Sequence, residues 1–271
     1  MKHLKIFFWL ILILTGCEEK ADKDFPTDVP DTIVVQATLT DENHHQEVKI
    51  TKPVAGQSFE PNPVSGAIVT LSNGTQSTNC TESIDESGVY TSDISFAAVL
   101  GQTYYLNIVC KGKTYSAETT ILPVSPLNPL SYVPVDENDS LYKIGWVAPD
   151  YNADAQDMYK ITIDWSHITN IPPEEKSKAE LYYYTFKTLD VIELFSPDKE
   201  EAFFPKGSII IEKKYSLTDD YANFLRALSA ETVWQGSLFD EARGNLPTNI
   251  SNGGLGYFTA CSVVSDTLIV E

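Results

Sequence analysis

Arginine is almost missing from this chain: Arg226 and Arg243 are the only two among 271 residues. Lysine does not make up the deficit, since 19 basic residues stand against 38 acidic ones, a formal charge of −19. Binding to nucleic acid needs clustered cations that displace counterions from phosphate. No such cluster is present, and nucleic acid is excluded as a partner. Signatures of catalysis are missing as well. There is no Gly-x-Ser-x-Gly elbow, no His-Glu-x-x-His zinc helix and no glycine-rich phosphate loop between a strand and a helix. The chain therefore reads as a non-enzyme. Paired carboxylates are the one catalytic class that this argument leaves open, because they come together from distant parts of a chain. Long apolar runs are absent too, with one exception. Ile6–Leu14 is nine residues long, whereas a helix needs about 20 to cross a bilayer.

That short run is informative through its surroundings. It follows Met1-Lys2-His3-Leu4-Lys5 and precedes Thr15-Gly16-Cys17. A basic start, an apolar centre and small residues before a cleavage point make a secretory signal peptide, and a cysteine at that point makes it a lipoprotein signal. Residues 1–16 are read as the signal and Cys17 as the lipid-modified first residue of the mature chain, held on a bacterial membrane outside the cytoplasm. Each buried methylene of an acyl chain contributes about 0.8 kcal/mol, so two or three chains hold a folded body firmly. Losing Lys2 and Lys5 with the leader leaves 17 basic residues against 38 acidic ones, a formal charge of −21. Residues 17–31, beginning Cys17-Glu18-Glu19-Lys20, carry charge without apolar periodicity and read as a disordered tether. Fully extended, such a tether reaches about 45 Å; as a coil it spans about 20 Å.

The mature chain is rich in Tyr and Phe, with little helical periodicity, which points to mainly β structure. Residues 32–122 contain about seven short alternating runs separated by turn signals, the pattern of an Ig-like or transthyretin-like β-sandwich. The clearest is the pair Thr103–Cys110 and Thr114–Ile121, joined through Lys111-Gly112-Lys113 as a hairpin. Pro123, Pro126 and Pro129 mark residues 123–129 as an extended linker. Residues 130–271 read as a second β-rich domain with one or two short helices. One helix is expected after Ser216 or Thr218, with Asp219 and Asp220 at its positive end and Tyr221, Phe224, Leu225 and Leu228 on one face. The tail, Gly256–Val264 followed by Thr267–Val270, reads as a closing hairpin.

Three cysteines remain after lipidation. An exported location permits a disulfide. Cys80 and Cys110 fall in the same predicted sandwich and are the first candidate pair; three pairings are open, and so is the alternative of three buried thiols. Asp150, Asn152, Asp154 and Asp157 place oxygen ligands at spacings that calcium loops use. Ala155 stands where such loops have glycine and no closing glutamate follows, so a simple acidic turn competes with the calcium reading. Asp41-Glu42-Asn43-His44-His45 offers metal-ligating types, yet adjacent residues of an extended chain point opposite ways, which favours a solvated hairpin loop. No cofactor other than the lipid on Cys17 is expected, calcium being the one weak candidate. Trp165, Tyr182, Tyr184 and Trp234 belong to the densest aromatic stretch. Alternation puts Tyr182 and Tyr184 on one face of a strand, as a ligand platform if that face is exposed and as core if it is not.

Three segments together resemble the Bacteroidota lipoprotein family called domain of unknown function 4249. They are Ile33-Val34-Val35-Gln36-Ala37; Pro63–Leu71 with Gly101–Leu106 and Gly112-Lys113-Thr114-Tyr115; and Asn245–Ile250 with Gly253–Phe258. The resemblance brings no catalytic residues with it. It implies an outer-membrane lipoprotein found beside TonB-dependent transporters, and the acidic residues after Cys17 are similar to the surface-export signals of such lipoproteins. The expected function is a surface-exposed, non-enzymatic accessory or binding subunit of a TonB-dependent transporter, partnered by its barrel protein. The alternative is a structural or adhesive envelope lipoprotein with no role in uptake.

Overall fold

The computed structural model describes residues 31–54, 62–135, 140–168, 177–188, 201–232 and 246–271. The signal peptide, Cys17, nearly all of the tether, the Asp136–Asp139 acidic run and Trp234 lie outside the described residues.

The first half supplies β1 (Val34–Thr40), β2 (Glu47–Lys52), β3 (Asn62–Pro63), β4 (Ile68–Ser72), β5 (Ser77–Glu82), β6 (Val89–Thr91), β7 (Thr103–Cys110) and β8 (Lys113–Thr120). The second half supplies β9 (Ser131–Pro134), β10 (Leu141–Trp146), β11 (Asp157–Asp164), β12 (Lys178–Thr185), β13 (Phe204–Pro205), β14 (Ile209–Ser216), helix α1 (Asp219–Thr232), β15 (Leu255–Cys261) and β16 (Val263–Ile269). The protein is mainly β, built as sandwiches of packed sheets.

Strand alternation explains the first core. In β1, Val35, Ala37 and Leu39 are buried, and in β7 so are Tyr104, Leu106, Ile108 and Cys110, every second residue of each. Lys111 (φ 47°) and Gly112 (φ 77°) close the β7–β8 hairpin with two left-handed residues, the geometry that matches the twist of the strands. The strand order is β15-β1-β2-β6-β5-β4-β7-β8, with β3 paired on β2. An isolated parallel bridge from Leu122 to Cys261 brings the chain after β8 back to β15.

The first strand in that order comes from the far end of the chain. β15 runs parallel to β1 in unbroken register from Val34↔Leu255 to Thr40↔Cys261. Phe258 and Ala260 consequently sit in the first core beside Leu39 and Ile50. This corrects the closing hairpin expected in the tail. β15 and β16 are separated only by Ser262, yet they join different sheets, because β16 pairs with β14. Alternation shows that a segment is a strand; it does not show which neighbour it will take.

The second half packs a three-stranded sheet, β13-β10-β9, on a four-stranded sheet, β12-β11-β14-β16. Their core includes Tyr142, Tyr159, Ile161, Ile163, Trp165, Leu181, Phe204 and Ile210. Helix α1 forms as its sequence pattern predicts. Thr218 caps it, its Oγ1 accepting from the Tyr221 N–H at 3.2 Å, and Asp219 and Asp220 occupy the first turn. Its apolar side, with Tyr221, Ala222 and Leu225, closes a third cluster against Phe186, Leu217, Tyr257 and Cys261. The described helix is not long and apolar enough to cross a membrane.

The two halves also meet through polar contacts. Lys213 pairs with Glu42 at 2.7 Å, the Ser216 hydroxyl donates to the Leu122 carbonyl at 2.8 Å, and Lys214 Nζ donates to Ser125 Oγ at 2.6 Å. The proline-bearing segment after Leu122 is therefore held against the second sheet.

Candidate functional site

Of the four residues of the expected aromatic platform, the three that the structure describes, Trp165, Tyr182 and Tyr184, are not brought together. Trp165 is 7% exposed and belongs to the second core. Tyr184 packs in the cluster under α1 and stacks on Phe186, with ring centroids 5.6 Å apart. Tyr182 alone is open to solvent, as part of a polar trio. Lys160 lies over its ring at 5.8 Å and pairs with Glu180 at 2.8 Å, and the Tyr182 hydroxyl donates to Glu180. Burial and the Glu180 carboxylate push the Tyr182 phenol upward from its usual range. Trp234 lies outside the described residues. Tyr182 and Tyr184 do share a face, but α1 packs over one end of that face.

The calcium pattern is also taken apart by the fold. Asn152 Oδ1 accepts from the Asp154 N–H at 2.9 Å, an Asx turn, and the Asp150 carbonyl accepts from the Phe186 N–H. Asp157 turns away into the sandwich, where its side chain is 6% exposed and pairs with Lys214 at 3.2 Å. Among the described residues no three His, Cys, Asp or Glu side chains are gathered for a metal ion. In the β1–β2 loop the two histidines diverge. His44 Nε2 meets Thr40 Oγ1 at 2.8 Å, and His45 Nδ1 meets the Ser92 carbonyl at 2.7 Å.

The cysteines are unpaired: Cys80, Cys110 and Cys261 are all free thiols. Cys80 is opposite Val69 on β4, which is opposite Ile108 on β7, so β4 lies between the two expected partners. Two strand spacings of about 4.8 Å each exceed the roughly 7 Å that a disulfide bridges between Cα atoms. Burial pushes the Cys80 and Cys261 thiols up to about 12, which makes them poor nucleophiles.

A concave feature of the described surface lies at the rim of the second sandwich. A cavity of about 390 Å³ is bounded by Val133 of β9, Lys143, Ile144 and Trp146 of β10, and Leu181 and Tyr183 of β12, with Glu201 and Ala202 at its edge. Trp146 is 43% exposed. Lys143 and Glu201 form an ion pair at 2.6 Å. Trp146 reaches this position through a bulge. Lys143 is opposite Val133 and Ile144 opposite Tyr132, but Trp146 is opposite Ser131, so Gly145 is an extra residue. Strict alternation would put Trp146 on the core side with Ile144; the inserted Gly145 puts it on the outer side with Lys143. Bulges re-aim side chains in this way and are common beside functional sites. The sequence reading missed Trp146, although a glycine inside a strand pattern is the available signal.

The interior of the second sandwich also carries charge. The Lys214 side chain is 3% exposed and satisfied on all sides, by Asp157, Ser125 Oγ, the Pro126 carbonyl at 3.3 Å and the Tyr159 ring at 5.4 Å. Burial raises Asp157 even though Lys214 works against the shift. Glu212, two residues before Lys214 on the same face of β14, is 3% exposed. Its Oε1 has no hydrogen-bond partner among the described residues. Burial, with a smaller contribution from the Asp266 carboxylate, pushes Glu212 up to about 7, against the pull of Lys214.

With this geometry in hand, comparisons with known proteins give one family. The model described as "Domain of unknown function (DUF4249)" matches residues 18–267. No curated protein matches the chain. Among solved structures, the FN1-FN3 domains of chicken CNTN1 align at 12% identity and a TM-score of 0.25, over 72% of this chain and 62% of that one. The BSP domain of a biofilm associated protein aligns at 14% identity and a TM-score of 0.25, over 69% of this chain and 27% of that one. The chain thus spans less than two thirds of the length of either.

Proposed function

This chain belongs to the DUF4249 family, and from that premise we propose that it is a lipid-anchored, surface-facing lipoprotein of a bacterial outer membrane. It acts there as a non-enzymatic accessory or binding subunit of a TonB-dependent transporter. The observation that carries the reading is the leader: Ile6–Leu14, too short to span a bilayer, delivers Thr15-Gly16-Cys17 for cleavage and lipidation. The acidic tether after Cys17 supports the surface side. A β-sandwich body with an open cavity rimmed by Trp146 and the Lys143–Glu201 pair supports binding as the role.

The test is purification of the tagged, full-length lipoprotein from detergent-solubilised outer membranes. Recovery of a TonB-dependent barrel protein in stoichiometric amount is the expected result. Recovery of the lipoprotein alone overturns the transporter role and favours the structural or adhesive alternative. Protease treatment of intact cells checks the side of the membrane: digestion is expected, and protection moves the protein to the periplasmic face. A Cys17→Ser chain should lose membrane attachment in the same cells.

A further inference from the structure

β14 turns three polar side chains inward in succession: Glu212, Lys214 and Ser216 alternate on its core face. The segment Leu122–Pro126, which leads from the first sandwich toward β9, lies along that row. The Ser216 hydroxyl donates to the Leu122 carbonyl at 2.8 Å. Lys214 Nζ reaches Ser125 Oγ at 2.6 Å, the Pro126 carbonyl at 3.3 Å and Asp157 at 3.2 Å. An ammonium has three donors, so every donor of Lys214 is committed. Glu212 differs from its two neighbours in the row. It is 3% exposed, and its Oε1 has no hydrogen-bond partner among the described residues. A buried polar atom in that state calls for a reason. A neutral carboxyl bears such a position at modest cost, whereas a charged one needs a cation. The cation that acts on Glu212 is Lys214, two residues and about 7 Å along the same strand.

We infer that Glu212 and Lys214 form a proton-controlled latch: loss of the Glu212 proton draws Lys214 off Ser125 and Pro126, and the segment between the two sandwiches lets go of the second sheet there. The inference is independent of the function proposed above. Charge decides which bonds Lys214 gives up. Leaving Asp157 would strand a second buried charge, while Ser125 and Pro126 are neutral acceptors at the protein surface, where water replaces the lost bonds. The Ser216–Leu122 bond does not involve the proton, so the segment stays held at Leu122 and is released from Ser125 onward. The other groups around Glu212 set where the proton leaves. Asp266 faces it from β16, directly opposite in register, and opposes its ionisation. β11 presents Ile161 opposite Glu212, with Tyr159 and Asp157 further along beside Lys214. Residues 122–130 carry no titratable side chain. The covering sheet contributes Tyr132, whose hydroxyl accepts from the Glu271 N–H, and Tyr142, whose hydroxyl donates to the Glu271 carbonyl. Burial and Asp266 raise Glu212 to about 7, so the latch is closed below that pH and open above it.

Methyl NMR of the full-length lipoprotein in detergent micelles, recorded between pH 5 and pH 9, tests the latch. The reporter is Leu127, which follows Pro126 and packs on the second core; Leu106, in the first core, is the reference. In the wild type the Leu127 methyl signals should move from one position to another with a midpoint near pH 7, while those of Leu106 stay in place. Glu212→Gln should hold Leu127 at its acid position throughout, and Ser125→Ala should move it toward the alkaline position at every pH. A wild type without the step overturns the inference, as does a step of equal size in Glu212→Gln. Leu106 moving together with Leu127 means that the whole protein loosens, which overturns it too. Should Glu212→Gln fail to fold, amine labelling of the wild type read by mass spectrometry gives the answer. Labelling of Lys214, relative to the exposed Lys111, is expected to rise at least fivefold from pH 6 to pH 8.5 as the segment that covers it lifts; a constant ratio overturns the latch.

Discussion

A β-carbon on Gly256 would lie 2.0 Å from the carbonyl oxygen of Val35. Gly256 is opposite Val35 in the parallel β15–β1 pair and holds φ at +85°. Both facts demand glycine: side chains avoid that backbone region, and the Val35 backbone cannot move without breaking the register that carries Phe258 into the first core. Gly256→Ala is therefore expected to cost about 3 kcal/mol or more. Gly253 has a similar φ of +73° with nothing within 4 Å of its would-be β-carbon, so Gly253→Ala should cost only about 1 kcal/mol, the conformational part. Urea melts of the two variants give the comparison, and equal losses would mean that the Val35 contact is unimportant.

Glu212 makes stability depend on pH in a defined direction. Its folded-state pKa is raised from 4.5 to about 7, so the folded protein favours the neutral acid. The contribution of this group is fully present below pH 4.5 and is lost as pH rises through 7. The nearby charges are Lys214 on the same strand and Asp266 on β16, directly opposite in register. Glu212→Gln removes the ionisation while keeping the shape. It should stabilise the protein by about 3 kcal/mol at pH 8.5, from a shift worth roughly 1.4 kcal/mol per unit, and by almost nothing at pH 4. Thermal melts across that range, for wild type and variant, test the slope.

Lys214 and Asp157 are coupled by burial. Truncating one member of a buried ion pair strands the other charge, at a cost of about 3–5 kcal/mol, while replacing both costs far less. Lys214→Met should accordingly be severe at neutral pH and milder in acid, where Asp157 takes up a proton. Lys214→Met/Asp157→Asn should recover much of the loss. The double-mutant cycle by denaturant melts measures the coupling, and additive losses would contradict the geometry.

Local signals were read well from the sequence, and non-local ones were not. Thr218, Asp219 and Asp220 announce α1 because capping and charge act within one turn. Lys111-Gly112 announces its hairpin because turn chemistry is equally local. The pairing of β15 with β1 joins Val34 to Leu255, and nothing local to either strand specifies such a partner. The candidate sites failed for related reasons. Tyr182 and Tyr184 were correctly assigned to one face, but Phe224 and Tyr221 of α1 belong to the cluster that covers Tyr184. Asp157 matched a ligand spacing in sequence, yet it begins β11 and is drawn inward by a lysine on β14 that alternation places on the core side. Cys80 and Cys110 share a sandwich without sharing neighbouring strands.

The bulge at Gly145 is where a single residue decides what the second sandwich displays. Removing Gly145 takes the extra residue out of β10, so that Trp146 follows Ile144 directly, stays opposite Ser131 on the outer face and leaves Val147, 2% exposed, on the core side. A threonine inserted in β9 between Ser131 and Tyr132 does the opposite: it gives Gly145 a partner, restores alternation with Gly145 counted and carries Trp146 toward the core. Forcing an indole into a packed interior is costly, about 1–3 kcal/mol or more. The insertion should therefore lower the melting temperature and also change the environment of Trp146. In a chain carrying Trp165→Phe and Trp234→Phe, the wild-type bulge predicts Trp146 emission that is red-shifted and readily quenched by acrylamide. The threonine insertion should shift that emission to the blue and reduce quenching, while the Gly145 deletion should leave it unchanged. Emission unchanged by the insertion would mean that Trp146 owes its exposure to the open sheet face alone, and not to the bulge.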